Sequence, residues 1–473
     1  MNKDQIIRSL LIIFLLGDFA FSFLQYYTTP LFGDVDSHVL PDHHIRKVID
    51  DPFGFQAIFH ERHTNPNRFF SHYTFMKYMQ KAPLFFQNFT DPISSVYFAT
   101  ALAKLGVQVL FVALMAMFIS GKKKIFSHGF LLSAAVIAPL FQVYGFWSRM
   151  GINDRSIAYT FFYAIPIVFL MLFLYPIIEN IYLKTDFKKI WYLITIPLVV
   201  ALPLSGPLIP AVLILVSFLL LLSFLYPAGI KNSIDFFQAL HCVPKTFYFL
   251  LVPACAFSLY SLFLGFYNVN YEGGIISLTD RFLRLPQGLY SQVFHALGFP
   301  VLLIMSGINF FLLKKIKGND SNKLIIQLGW IGIFSILYIL LLPFGGYRPY
   351  RPNIIRYDTF MPVTIGLIYF FGASVYFLLN YLVGKPRQYY SGLVIVCLLF
   401  FTVADMKGIG RNKCERTAFR KMAESAEKIV PLPNGCFIMA WENIYDYKQS
   451  ENRAELIYRW GITTEKKLFY NEQ

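Results

Sequence analysis

Eleven apolar runs, most near the ~20 residues that an α-helix needs to cross a bilayer, follow one another along this chain. They are Ile6 to Tyr26, Pro92 to Ser120, Ser127 to Phe146, Ile157 to Ile178, Ile190 to Leu208, Ile209 to Tyr226, Thr246 to Phe266, Val293 to Leu313, Leu324 to Phe344, Thr359 to Leu382 and Tyr389 to Ala404. The predicted fold is therefore an all-α polytopic membrane protein with about 11 transmembrane helices. With 56% hydrophobic and only 15% charged residues over 473 positions, a soluble domain could not hide the apolar surface. The fifth and sixth runs meet at "LPLSGPLIP", a Pro/Gly turn that reads as a tight hairpin at the membrane surface. The first run follows a basic start, as in a signal peptide. Only Asp18 interrupts it and no small-x-small cleavage site follows, so a retained helix is expected.

The net charge is +15. In a soluble chain that would suggest nucleic acid, but no basic-aromatic binding module is present, and nucleic acid is excluded as a partner. The cations fall instead in the breaks between apolar runs. With the N-terminus cytoplasmic, inside breaks such as "GKKK" and "KKIK" hold about 16 Lys and Arg against about 7 in the short outside loops. Eleven crossings then put the C-terminus outside. A membrane domain over 1–404 carries a first outer loop at 27–91, and a tail at 405–473 faces the same side.

Both outer pieces look structured. "PDHHIRKVIDD" starts a helix at Pro41 and Asp42, with Ile45, Val48 and Ile49 at helical spacing. "RFFSHYTFMKYMQKAPLFFQ" has aromatics and Met along one face, with His72, Lys77 and Lys81 among the rest, as in a helix lying in the membrane interface. The tail reads as an amphipathic helix, a "PLPNG" turn and an apolar strand "CFIMAW", together a small α/β cap. Cys414 and Cys436 lie in it. An outward-facing tail would let them pair, but spacing alone cannot supply the Cα distance.

Candidate chemistry gathers at two places. Asp34 and Asp36, in "FGDVDSHVLPDHH", sit just past the outer end of the first helix. In an extended segment both carboxylates point the same way. One could act as general base, the pair could hold a divalent cation, or both could be solvated. His38, His43 and His44 follow as secondary candidates for proton exchange or ligation, or as plain surface histidines. The second place is "GGYRPYRPNIIRYDTFMP", where Arg348, Arg351 and Arg356, with Tyr357, lie on the side where positive charge is disfavoured. Guanidinium groups grip phosphate in bidentate fashion, and Pro349 and Pro352 stiffen the loop. Snorkelling to lipid headgroups is the plainer account. In "RMGINDRS", Asp154 and Arg155 are further candidates, Asp154 as a third carboxylate near Asp34 and Asp36. Lys104, inside the second run, either lines an internal cavity, snorkels or pairs with Asp18.

A first helix, a long outer loop opening with D-x-D, many spans and an outer Arg-Tyr segment before a late helix resemble the GT-C superfamily of integral-membrane glycosyltransferases. The resemblance covers most of the chain in layout and about ten residues in motif. It implies a polyprenyl-phosphate-linked sugar donor, a glycan, lipid or protein acceptor, and the lipid bilayer as environment. It implies Asp34 or Asp36 as catalytic base, Arg348, Arg351, Arg356 and Tyr357 at the donor phosphate, and inversion at the sugar carbon. No cofactor is required by it, although Mg or Mn on Asp34, Asp36 and Asp154 stays open. "RYDTFMP" has one residue more before its proline than the family's segment, and no W-W-D motif is present, which argues against protein N-glycosylation. The setting it implies is a bacterial inner membrane. A polysaccharide polymerase or ligase, and a glycolipid transporter or flippase, are the alternative readings. The first would put its large loop between late helices, the second its ionisable groups at mid-membrane.

Overall fold

A computed structural model describes residues 3–33, 35–121, 124–141, 149–183, 185–225, 239–241, 243–269, 276–345, 353–405 and 409–473. Asp34, Arg348 and Arg351 lie outside the described residues. The chain is nearly all helical, and among the described residues eight helices are long and apolar enough to cross a membrane. They are α1 (Lys3–Tyr27), α6 (Pro92–Ser120), α8 (Ile157–Tyr182), α11 (Phe247–Gly265), α14 (Gly298–Lys315), α15 (Asn319–Leu341), α16 (Tyr357–Tyr381) and α17 (Gly384–Asp405). Three more apolar helices, α7 (His128–Ile137), α9 (Lys189–Ala201) and α10 (Ile209–Leu225), are shorter. Each of the eleven apolar runs therefore holds a helix, and eight reach membrane length.

The first outer loop folds into α2 (Val35–Val39), α3 (His43–Asp50), α4 (Phe55–Phe59) and α5 (Phe69–Phe86). Asp42 caps α3 by accepting the Ile45 amide at 2.8 Å, as its position predicts. Helix α5 buries His72, Phe75, Met76, Met79 and Pro83, while Lys77 and Lys81 stay exposed. His72 thus belongs to the buried face and not to the polar one. Helical spacing already put it there, three residues before Phe75, but its polarity argued the other way.

The "LPLSGPLIP" turn is not a free surface hairpin. Ser71 of α5 donates its hydroxyl to the Ser205 carbonyl, and the Phe70 amide donates to Leu204 at 3.2 Å. Residues Thr160–Ala164 of α8 form a wide π-turn, which leaves the Phe161 carbonyl to accept Ser71 Oγ at 3.0 Å. A Cβ at Gly206 would lie 2.7 Å from the Phe162 carbonyl oxygen, so only glycine lets the hairpin tip seat there.

The tail forms α18 (Lys413–Glu424), α19 (Glu451–Arg459) and two short strands, β1 (Ile429–Leu432) and β2 (Leu468–Asn471), paired in parallel. The small α/β character holds, but "CFIMAW" is not the strand. That run is a series of bends with Met439 at a positive φ of 47°. Cys436, Ile438, Met439 and Ala440 are buried while Phe437 and Trp441 are exposed, and no strand neighbour is needed to explain the buried ones, since the segment is held to α18 by the Cys414–Cys436 disulfide and the Glu415–Met439 hydrogen bond. Cys414 and Cys436 form a disulfide with a Cα–Cα distance of 5.8 Å. It closes a loop of 22 residues, so replacing both cysteines by serine is expected to weaken the tail by about 3 kcal/mol. Earlier proteolysis of the tail in the double variant would register that loss.

Candidate functional site

The tail and the first loop meet at one end of the bundle, over the C-terminal end of α1. The Asn412 amide donates to the Thr28 carbonyl at 2.9 Å. Trp460 donates its indole N–H to Met79 of α5 at 2.9 Å. Glu415 is buried, and its Oε2 accepts the Leu31 amide at 2.8 Å and the Tyr97 hydroxyl at 2.7 Å. Its Oε1 accepts the Met439 amide at 3.3 Å. Burial pushes this carboxyl up to about 7, against the pull of those donors and of the adjacent Arg416. Gly33 takes a φ of +74°, and the indole of Trp441 occupies the place where its Cβ would project. Phe32 stacks on the same indole at 6.0 Å.

Asp36 therefore lies beneath the tail. It is 6% exposed. Its Oδ1 is 3.7 Å from Arg453 Nε, and its Oδ2 is 3.5 Å from Asn452 Nδ2. His38, on the same short helix, stacks parallel on His72 at 5.0 Å and packs on Phe162 at 5.1 Å. His43 and His44 are exposed at the start of α3 and touch each other edge to face at 5.8 Å.

The second cluster forms on the loop 149–156 at the same end. Asp154 is 8% exposed. Its Oδ1 accepts the Ser156 amide at 2.7 Å, and the Tyr357 hydroxyl lies within hydrogen-bonding reach of the carboxylate. Burial raises the Asp154 carboxyl, opposed by the Ser156 amide, Tyr357, Lys104 and Arg155. Lys104 is wholly buried and donates to the Arg155 carbonyl at 2.6 Å, so its partner is this loop and not Asp18. Asn153 ties the loop to α6 and α1 through the Lys104 carbonyl at 2.8 Å and the Tyr26 hydroxyl at 3.1 Å. Arg155 lies over the Phe32 ring at 5.6 Å, and Ser156 Oγ donates to the Phe32 carbonyl at 3.1 Å. The Arg-Tyr segment thus reaches the 149–156 loop, and that loop reaches the residue two before Asp34.

Asp154 is directed to Tyr357 and to the basic residues around it. Arg356 pairs with Asp358, with Nη2 2.6 Å from Oδ2. The donor set around Asp154 and Asp36 also suits a divalent cation poorly. Each carboxylate already has a cationic neighbour, Lys104 and Arg155 at one and Arg453 at the other. The arginine that the sequence did not single out is Arg149. It is half-buried, its side-chain partner is the neutral Gln292 at 3.4 Å, and its charge acts on Tyr357. Its place in the same short outer loop as Arg155 was the available signal.

No family model and no curated protein matches this chain.

Proposed function

We propose that this is a membrane glycosyltransferase that moves a sugar from a polyprenyl-phosphate donor to an acceptor hydroxyl. The observation that carries the reading is the convergence of Arg149, Arg155 and Tyr357 on one loop beside the first-helix rim that bears Asp36. Arg149 has no carboxylate partner among the described residues, so its charge is available to a phosphate oxygen. Arg356 is half-neutralised by Asp358 and fits a positioning role. Arg348 and Arg351 remain candidates from the sequence.

In the step itself, Asp34 or Asp36 takes the proton of the acceptor hydroxyl. The oxygen attacks the anomeric carbon from the face opposite the lipid phosphate, and the carbon–oxygen bond to that phosphate breaks, which inverts the carbon. Charge developing on the leaving phosphate meets guanidinium groups already in place. Loss of one such preorganised donor typically costs about 3–4 kcal/mol of barrier.

We infer that all eleven apolar helices cross the membrane. The loop 149–156, the hairpin tip at Ser205 and residues Asn268, Tyr357 and Asn412 share contacts with the first loop, the end of α1 or one another. That alternation of ends supports a traverse by α7, α9 and α10 as well. The disulfide favours an oxidising compartment for this end, as expected of the outer face of a bacterial inner membrane.

The test is binding of a long-chain polyprenyl phosphate to the protein in phosphatidylcholine nanodiscs. Wild type is expected to bind, and Arg149→Gln to bind about 10–100-fold more weakly, the loss of one charge-assisted pair. Equal binding by the two removes Arg149 from the site. No binding by wild type overturns the reading.

A further inference from the structure

Helix α5 begins at a second cationic centre. Arg68 is the residue before the first turn of α5 and is only 8% exposed. Its Nε is sealed from solvent with no hydrogen-bond partner, and no carboxylate pairs with its guanidinium among the described residues. His72, one turn on, is 1% exposed, and both of its ring nitrogens are likewise buried without a partner. The two are close enough for the Arg68 charge to act on the His72 ring, whose protonation is held well below its usual range by burial, then by His38 and Arg68. His72 is therefore a neutral imidazole with one N–H to give.

The surroundings hold these groups in place. The Asn67 amide donates to the Ser261 carbonyl at 3.0 Å, and Asn268 donates to Asn65 at 3.1 Å, so the turn before α5 is tied to α11 and its end. Asp51, an acid of the first loop, accepts the Phe55 and Gln56 amides and lies 3.7 Å from His63. An uncompensated buried cation is among the most destabilising arrangements a fold can carry. Here it coincides with two unused imidazole nitrogens and with the positive end of an 18-residue helix.

We propose that Arg68, His72 and the start of α5 form a second oxyanion site, which takes a phosphate group. The site does not rest on the glycosyltransferase reading. The phosphate is either free in solution or the headgroup of a lipid beside α5. Both sources offer the same oxygens to a guanidinium and an imidazole N–H.

Thermal unfolding separates them. One arm titrates inorganic phosphate against the full-length protein in phosphatidylcholine nanodiscs, with chloride at matched ionic strength as control. The other replaces part of the phosphatidylcholine by phosphatidylglycerol. Wild type is expected to melt several degrees higher in at least one arm. Arg68→Met is expected to lose that shift, and to melt higher than wild type when neither phosphate nor phosphatidylglycerol is present, because the unpaired charge is gone. Lys81→Gln, which removes an exposed cation further along α5, should keep the shift. No shift in either arm, or an undiminished shift in Arg68→Met, overturns the proposal. Should Arg68→Met fail to fold, His72→Phe keeps the ring stack and carries the test. Its midpoint in the arm that responds is expected to rise about tenfold, the worth of one buried hydrogen bond, and an unchanged midpoint overturns the proposal.

Discussion

Asp36→Asn is expected to lower sugar transfer by a factor of about 10²–10⁴ while leaving the protein folded. The carboxylate is buried beneath the tail with Asn452 and Arg453 beside it, and an asparagine of the same shape keeps one acceptor oxygen there, for Arg453. It cannot take a proton from an acceptor hydroxyl. The measurement pairs surface-glycan assembly in cells with the melting temperature of the purified variant. Arg453→Gln supplies the contrast. It removes the cation but keeps the acid, so its transfer defect should be smaller. If Asp36→Asn melts like wild type and assembles glycan at the wild-type rate, Asp36 is not the base, and the role falls to Asp34 or the reading fails. A variant that loses both stability and transfer would instead make Asp36 a docking residue for the tail.

Glu415→Ala should release the tail from the bundle. The substitution strands the Leu31 amide, the Met439 amide and the Tyr97 hydroxyl in a buried place. Each buried donor left unpaired costs about 1–3 kcal/mol, so a loss of about 3 kcal/mol or more is expected. Proteolysis of the tail, followed by mass, would detect it. The same residue sets a pH dependence. In the docked state its carboxyl holds a proton up to about pH 7, whereas its ordinary value is 4.5. The docked form binds the proton more tightly, so docking is strongest below pH 4.5 and weakens as pH rises through 7, by about 3 kcal/mol in all. Glu415→Gln should flatten that slope. A slope unchanged in the glutamine variant would assign the pH dependence to another group.

The sequence made some of this legible. Hydropathy placed a helix in every one of the eleven runs because a chain in lipid must satisfy its backbone within each segment. Asp42 announced its cap, and the periodicity of "CERTAFRKMAE" announced α18. What stayed hidden depends on which helix stands next to which. Nothing local tells that Tyr357 reaches Asp154, or that Asp36 meets a tail residue 416 positions later. "CFIMAW" misled because period and apolarity report burial, and a disulfide-anchored bend buries side chains as well as a strand does. His72 misled in the opposite sense. A polar residue near the start of an aromatic helix reads as part of the wet face, and only the packing of Phe162 on its ring shows otherwise.

The contacts between the tail and α2 also impose an order on assembly. Asp36 enters the membrane surface early in synthesis, long before Asn452 and Arg453 leave the ribosome. On the proposed topology, the helices between the first loop and the tail must be inserted, and the tail carried across and oxidised, before the rim around Asp36 is complete. Until then the D-x-D segment stands open. A chain stalled part-way holds its acids but not their cover, so on that topology translocation of the tail is the event that turns an inserted bundle into a finished rim.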